Sequence, residues 1–464
     1  MTVEGAVSSA LNGITAFSKQ VGDISENLAN VGTAGFKRVD SLFRDMLMGP
    51  SVEYATPVSV HETPIYRNNV AGTITSNTNP TSFAVSVGTG LVPVADVTMS
   101  GATETLSTVI RYTRAGDFSV DANNFLVNSQ GQALMAVQET KPFSNSFPAA
   151  PNAGSVVPVN LDPAVYNAMP GTPTTSLSLN ANFPAAVHVV PDPLDPLTPG
   201  PAPGAGADDQ TLSVPFFDSL GTSHTLQLIL RKVSSVDGTV GNKNTWNVVD
   251  AVVKGTAGIA DTPVLHETAV GVNDTVSFGS DGRLSGNTKL PFKIPPLTDP
   301  QVDGTTKASA VQTLTIDLGT PTLNSTQFAG TAIEIRHIQD WNGHAPGAFA
   351  GASIDNNGYV SFRYNNGLTT TPYRIPLATF PNPNLLERIS GATFGANPTL
   401  AGTPTFSWSG EQGGVIVPSA VESSNVDVAS ELTKMVVAQK AYSSNSKVIS
   451  VGDQMKETAI NMKT

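Results

Sequence analysis

The first 31 residues carry an apolar spacing that constrains the fold of the whole chain. Apolar side chains recur in steps of four and three, the heptad seam of a helix that packs along another helix. They are Val3, Val7, Ala10, Ile14, Phe17, Val21, Ile24, Leu28 and Val31. A helix of this length extends roughly 42 Å at about 1.5 Å per residue. The segment that follows does not repeat the pattern, so the partner helix must lie elsewhere.

A matching pattern occurs only at the other end, where residues 425 to 462 are predicted to form a second long helix. Its seam consists of Val428, Leu432, Met435, Gln439, Tyr442 and Ile449, continued loosely by Met455 and Met462. Ser424, with Asp427 three residues later, resembles a capping box at the helix start. We therefore expect the terminal helices to pair as a coiled coil, with the rest of the chain inserted between them.

The first helix is predicted to be weak by itself. Gly5, Gly13 and Gly22 each cost about 1 kcal/mol relative to alanine in a helix interior. Asn30 and Gly32 are predicted to end it, because Gly accepts the left-handed conformation that closes a helix. A closed antiparallel pair within one monomer is the alternative interpretation. The glycines and the polar seam residues of the second helix favour contacts with other copies of the chain, since polar seam positions set register and stoichiometry.

The chain between the helices is predicted to be mainly β, built as sandwiches or barrels. With 464 residues it is long enough for two or three folded units. Strands are predicted at residues 210–217, 224–233 and 245–253. Turns rich in Asn, Asp and Gly are predicted at residues 121–124, 218–221, 280–282, 355–358 and 365–367.

A change in composition near residue 142 marks a boundary within the β-rich interval. The family resemblance described below implies a division into a helical inner domain (1–32 and 424–464), an extended or irregular connecting segment (33–80), a middle β domain (81–145 and 336–423) and an outer β domain (146–335). The outer segment contains a proline-rich acidic run at residues 191–203, which is predicted to be an exposed loop.

The composition argues against several functions. Twenty-five basic against 37 acidic residues give a net charge of −12, which disfavours nucleic-acid binding. The six histidines lack metal-ligand spacing, cysteine is absent, and no nucleophile or phosphate-loop motif occurs. We predict no catalytic residue, metal or cofactor. Glu422 and Asp427 are interpreted as charges that complement a helix start. We also expect neither a cleaved secretory signal nor a segment that spans a membrane.

Both ends of the chain resemble the bacterial flagellar rod and hook family of axial proteins. The resemblance rests on Ser9–Ile14 and on Asn27–Lys37, which includes Gly35, Phe36 and Lys37. At the other end it rests on Glu422–Asp427, Glu431–Leu432, Gln439–Tyr442 and Asn445–Lys447. The run at residues 113–118 is shared with the rod members. The hook members, as opposed to the shorter distal rod members, are favoured by the length and by residues 218–221 with His224 and Trp246, 354–358, 364–367 and 376–380.

The resemblance implies a structural subunit that polymerises helically into a curved hollow tube, linking rod to filament and transmitting torque. The implied partners are many copies of itself, a distal rod protein, hook cap and hook–filament junction proteins, and the flagellar export apparatus. The implied location is extracellular. The alternatives are a distal rod protein or, from another class, an extracellular β-rich adhesin.

The predicted assembly residues come from both helices. Those of the first helix are Val7, Leu11, Ile14, Phe17, Val21, Ile24, Leu28 and Asn30. Those of the second are Asn425, Val428, Leu432, Met435, Gln439, Tyr442 and Ile449.

Overall fold

A computed structural model describes most of the chain. The described residues are 3–47, 57–100, 103–106, 109–161, 165–187, 209–233, 244–255, 261–266, 275–285, 288–300, 306–319 and 324–462. The proline-rich run at 191–203, predicted to be an exposed loop, lies outside them.

The described chain begins and ends with long helices, and strands fill the interval. The helices are α1 (Val3–Ala29) and α2 (Val428–Asn461). The strands up to residue 184 are β1 (Val39–Leu47), β2 (Pro57–Tyr66), β3 (Ile74–Ser76), β4 (Phe83–Ser86), β5 (Val92–Ala95), β6 (Val97–Ser100), β7 (Thr103–Leu106), β8 (Arg111–Thr113), β9 (Ser119–Val120), β10 (Leu126–Val127), β11 (Ala133–Gln138), β12 (Val156–Pro158), β13 (Ala168–Met169) and β14 (Ser176–Pro184).

The later strands are mostly short. Up to residue 339 they are β15 (Gln210–Phe217), β16 (Ser223–Val233), β17 (Thr245–Lys254), β18 (Thr262–Pro263), β19 (Leu265–His266), β20 (Thr275–Ser277), β21 (Lys289–Ile294), β22 (Thr298–Pro300), β23 (Thr306–Ala308), β24 (Gln312–Asp317), β25 (Thr326–Phe328) and β26 (Glu334–Gln339). After residue 339 they are β27 (Gly347–Ile354), β28 (Tyr359–Tyr364), β29 (Thr369–Arg374), β30 (Leu377–Thr379), β31 (Glu387–Ser390), β32 (Thr393–Gly395), β33 (Thr405–Ser407), β34 (Val415–Pro418) and β35 (Ala420–Glu422).

The chain divides into two compact units. Unit 1 comprises Met1–Asn167, Phe349–Arg363 and Thr369–Thr464, and so contains both helices. Its main sheet has the antiparallel order β28-β29-β11-β5-β8-β32-β31. Aromatic side chains, among them Tyr112 and Phe394, fill one of its cores. Strands β1 and β2 form a long antiparallel hairpin that packs along α1.

Unit 2 comprises Ala168–Ala348 and Tyr364–Leu368. One sheet has the order β15-β16-β17-β18, and the other has the order β19-β21-β24-β14-β25. Along β16, Leu226, Leu228 and Leu230 alternate inward, and they share one core with Leu314 and Ile316 of β24. The unit is therefore a β-sandwich held by alternating apolar residues from both sheets.

The predicted fold class, mainly β units inserted between paired terminal helices, is confirmed because α1 packs against α2. The strand predicted at 210–217 coincides with β15. The turn predicted at 218–221 is also present: Asp218 accepts hydrogen bonds from the N–H groups of Leu220 and Thr222, and Gly221 has a φ of 79°. The turn at 355–358 is built in the same way, with a φ of 80° at Gly358.

The predicted helix ends are wrong by a few residues. Helix α1 ends at Ala29, and the glycine with positive φ is Gly35 (68°) instead of Gly32. A Cβ atom at Gly35 would lie 2.3 Å from the backbone nitrogen of Ala115, so only glycine fits there. Helix α2 begins at Val428, and its cap is Asp427, whose carboxylate accepts the Ser430 N–H at 3.1 Å, instead of Ser424.

Within the segment 33–80, predicted to be extended or irregular, residues 39–47 and 57–66 form the β1–β2 hairpin. Unit 1 joins the helices, this hairpin and the middle sheet in one compact body. The finer division into four segments stays a prediction.

Candidate functional site

The two terminal helices pack together through small and polar residues. On α2 the buried positions are Glu431, Ala438 and Gly452, which lie on one face of the helix. A Cβ atom at Gly452 would come within 2.5 Å of a methyl group of Val7. A Cβ atom at Gly13 of α1 would come within 2.8 Å of the Asn445 amide nitrogen. Two of the helix glycines therefore allow the helices to approach closely.

This mode of packing leaves large apolar side chains of α2 in solvent. Val437 is 60% exposed and Val448 is 45% exposed, whereas Ala438 is fully buried. We define the exposed stripe as Val437, Val448, Val451, Met455 and Met462, whose spacings are close to whole helical turns. Next to it, apolar side chains of both helices line an open cavity of about 390 Å³. An apolar helix face of this kind marks an interaction surface.

Most of the assembly residues predicted on α1 lie next to the buried face of this helix, and only one of them lies on it. Of that set, Ile24 is buried, Leu11 is 56% exposed, and Val7, Ile14, Phe17, Val21, Leu28 and Asn30 are half-buried. The inner face of α1 consists of Ala10, Gly13, Ala16, Ile24 and Asn27.

The residues predicted on α2 are mostly in solvent. Val428, Leu432, Gln439 and Tyr442 are exposed, and Asn425, Met435 and Ile449 are half-buried. The sequence interpretation missed Val437, Val448 and Val451. A sequence signal for this stripe was present, because Val437, Val448, Met455 and Met462 follow one another at intervals of eleven, seven and seven residues, which places them on one face of a helix.

A buried ion cluster ties the start of α2 to the β body of unit 1. Glu422, 1% exposed, accepts hydrogen bonds from Lys37 Nζ at 2.5 Å, from Arg114 Nε at 2.6 Å and from the Gly72 N–H at 2.7 Å. Its backbone carbonyl accepts the Gly35 N–H. The interpretation of Glu422 as a charge near a helix start is therefore wrong; it is the shared anion of two buried cations.

The electrostatics of this cluster favour the carboxylate form of Glu422. Burial alone would raise the pKa of Glu422, but the charges of Arg114 and Lys37 and the Gly72 N–H outweigh burial and hold that pKa below its usual value. Arg114 also donates to the backbone carbonyls of Val85 and Gly90. The cluster thus joins the segment before α2 to strand β4 and to the loop that follows it.

A second polar contact locks the two helices to the hairpin. The Asn27 side chain exchanges two hydrogen bonds with the backbone of Val39, both at 2.8 Å, and also donates to Glu431 at 3.1 Å. Lys434 pairs with Glu431 at 2.7 Å and with Asp40 of β1 at 3.1 Å. Asn27 and Glu431, which belong to the motifs at opposite ends of the chain, therefore meet in one junction although they lie far apart in the sequence.

Phe36, which stands between Gly35 and Lys37 in the motif, packs against the positively charged side chain of Arg388. The Arg388 guanidinium lies 4.5 Å from the centre of the Phe36 ring and 4.7 Å from that of Tyr66. Arg388 also pairs with Glu26 of α1 and donates to the Lys37 carbonyl at 2.6 Å. Gly35, Phe36 and Lys37 are all buried, so in this structure they act in the junction between the start of α2 and the β body of unit 1.

Gly22 and Gly452 are expected to respond differently to substitution by alanine, because only Gly452 lies where the two helices approach closely. Gly22→Ala is expected to stabilise the helices by about 1 kcal/mol, because nothing lies within 4 Å of the added Cβ. Gly452→Ala is expected to give no such gain, because its Cβ would meet Val7. Urea unfolding followed by circular dichroism at 222 nm measures both. Equal gains from the two substitutions would contradict the close packing.

The described residues contain no group of three or more histidine or carboxylate side chains placed to hold a metal ion. Neither helix, over its described length, is long and apolar enough to cross a membrane.

The described fold combines paired terminal helices, a buried polar junction and inserted β units. Two family models match this chain: "Flagellar basal body rod FlgEFG protein C-terminal" over residues 417–462, and "Flagellar basal body protein FlaE D2 domain" over residues 178–340. The first covers α2 and the strand before it, and the second lies within unit 2.

Over its full length the chain is similar to flagellar hook proteins. It is 27% identical over 463 residues to the flagellar hook protein FlgE of Brucella suis, covering 100% of both chains. It is also 27% identical over 470 residues to FlgE of Escherichia coli K12, covering 99% of this chain and 100% of the relative. The crystal structure of Helicobacter pylori FlgE2 covers 74% of this chain and 98% of its own, with 14% identity and a TM-score of 0.43.

Proposed function

We infer that this chain is a structural subunit of the bacterial flagellar hook and that its terminal helices drive its polymerisation. The exposed stripe of α2 carries the inference. The pairing of α1 with α2 uses small residues and leaves valine and methionine side chains in solvent on a monomer. Full-length similarity to flagellar hook proteins supports the same conclusion.

In a polymer the exposed stripe of one copy packs on the terminal helices of another copy. Such head-to-tail contacts use different surfaces on the two partners and never close, which is the requirement for a helical filament. The residues predicted from the sequence on both helices, apart from buried Ile24, belong to this interface as its flanks. Burial of one valine contributes about 1.5–3 kcal/mol, so a few such side chains per contact stabilise a long polymer.

The buried junction gives the subunit a means to transmit torque. Glu422 and its two cations hold the residues before α2 to the β body, and the Asn27 contacts hold α1 to the hairpin. Force applied to the helices therefore reaches the sheets of unit 1 through buried hydrogen bonds, and those to Glu422 are charge-assisted and so stronger than neutral ones. A curved hollow tube built in this way serves as a universal joint.

The remaining elements of the proposal rest on the similarity to flagellar hook proteins. The subunit is exported through the flagellar export apparatus and functions outside the cell. Its partners are the distal rod protein, the hook cap and the hook–filament junction proteins. It carries out no catalysis.

Electron microscopy of the purified, assembled chain tests this function. A curved hollow tube is the expected result. A straight rod would indicate a distal rod protein instead, and the absence of any polymer under conditions where the chain is folded would contradict the proposal and favour an adhesin-like role.

A further inference from the structure

Two carboxyl groups meet where the β1–β2 hairpin packs along α1. Asp23 of α1 accepts the Ser41 hydroxyl of β1 at 2.5 Å, and the carboxyl group of Glu62 on β2 faces both Asp23 and Ser41. Glu62 is only 4% exposed. It lies opposite Phe43 in the hairpin, and the Phe43 ring packs on Phe17 of α1 at 5.4 Å. The carboxyl pair is therefore part of the contact between helix and hairpin.

The hydrogen-bond donors at this contact are too few for two carboxylates. The Ser41 hydroxyl has one proton and donates it to Asp23. Oε1 of Glu62 is buried, and no N–H or O–H of the described residues donates to it. A negative charge on buried Glu62 beside one on half-buried Asp23 would repel it, and a shared proton removes the repulsion, as in other carboxyl pairs. The arrangement fits a neutral Glu62 that donates to an ionised Asp23.

The surrounding charges do not replace that proton. Lys19 and Glu26 of α1 and Arg388 of β31 act on the pair with opposite signs. Arg388 is already paired with Glu26 and bonded to the Lys37 carbonyl. Burial is the largest effect on both groups and raises the pKa of Asp23 and of Glu62, and Asp23 raises the pKa of Glu62 further.

We propose that Asp23 and Glu62 share one proton that holds the hairpin against α1, so that docking of the hairpin weakens as the pH rises. The sign follows from linkage. A carboxyl group whose pKa is raised on docking contributes its full stabilisation below its ordinary pKa, about 4.3 for Glu, and loses it as the pH rises through the raised value. The device operates within one monomer and does not depend on the proposed function.

Hydrogen exchange of the full-length monomeric chain between pH 5 and pH 9 tests the proposal. Protection factors, which correct for the intrinsic pH dependence of exchange, are compared for β2 (Pro57–Tyr66) and for β16 in unit 2. We expect protection of β2 to fall about tenfold per pH unit until Glu62 ionises and then to level off. Protection of β16 should not follow this curve.

Glu62→Gln is the matched variant, because its amide donates to Asp23 as the protonated acid does and cannot ionise. It should keep the protection of β2 constant across the range. Asp23→Asn removes the neighbouring charge but leaves Glu62 buried and able to ionise, so it should reduce the fall of β2 protection without abolishing it, and it serves if Glu62→Gln folds poorly. The same fall of protection in wild type and in both variants, or no fall in wild type, would overturn the proposal.

Discussion

A chain carrying Val437→Asp together with Val448→Asp is expected to fold normally but to lose polymerisation. Both side chains are largely exposed in the monomer, so the substitutions are expected to cost the fold little stability. In the polymer they would place two carboxylates in an apolar contact and remove the burial of two valines, at least about 3 kcal/mol. We expect the critical concentration for assembly, measured by sedimentation, to rise at least about a hundredfold.

Two further double variants show which part of the surface is needed for polymerisation. Val120→Asp with Val165→Asp makes the same chemical change at exposed valines of the β body and should leave the critical concentration near that of wild type. Leu432→Asp with Tyr442→Asp tests the seam predicted from the sequence, whose residues are also exposed, and should block assembly too. Normal assembly of the Val437 and Val448 variant would contradict the role of the exposed stripe.

Glu422→Gln is expected to destabilise unit 1 by about 3–5 kcal/mol. The substitution removes the anion shared by Lys37 and Arg114 and leaves two buried cations without a partner of opposite charge. Urea unfolding followed at 222 nm reports this loss, because both helices belong to unit 1. Glu387→Gln, at an exposed position of β31, is the control and should change stability by less than about 0.5 kcal/mol.

The pH dependence gives a second readout of the same cluster. Because the pKa of Glu422 in the folded chain lies below its usual value, the stabilisation is complete above the ordinary Glu pKa of about 4.3 and is lost as the pH falls through the lower folded value. Glu422→Gln should reduce this loss of stability in acid. An acid unfolding profile of unit 1 equal to that of wild type would show that Glu422 does not act as an ionised partner.

Features with a local signal could be predicted from the sequence. The heptad spacing from Val3 to Val31 predicts α1, because the apolar periodicity of a helix can be recognised from residues that are close together in the sequence. The turn at 218–221 was predictable because Asp218 satisfies nearby N–H groups and Gly221 accepts positive φ. These patterns determine the fold class without any knowledge of distant contacts.

The face by which α2 packs on α1 could not be predicted, because Ala438 and Gly452 carry little hydrophobic signal and act by letting the helices approach. For the same reason Gly13 was interpreted only as a weak point of α1. The Glu422 cluster was missed because its partners lie 385 and 308 residues away in sequence. Burial and charge pairing of this kind depend on tertiary structure, which periodicity does not encode.

Thiol protection tests the central claim most directly, and the absence of cysteine from the chain makes it possible. Val437→Cys places a single thiol on the exposed stripe, and Ala438→Cys places one on the buried face as a reference. The account predicts that the thiol at position 437 reacts rapidly with a maleimide in the monomer and becomes protected in the polymer, while that at 438 is protected in both. Equal reactivity at position 437 in monomer and polymer would contradict the assignment of the stripe as the assembly interface.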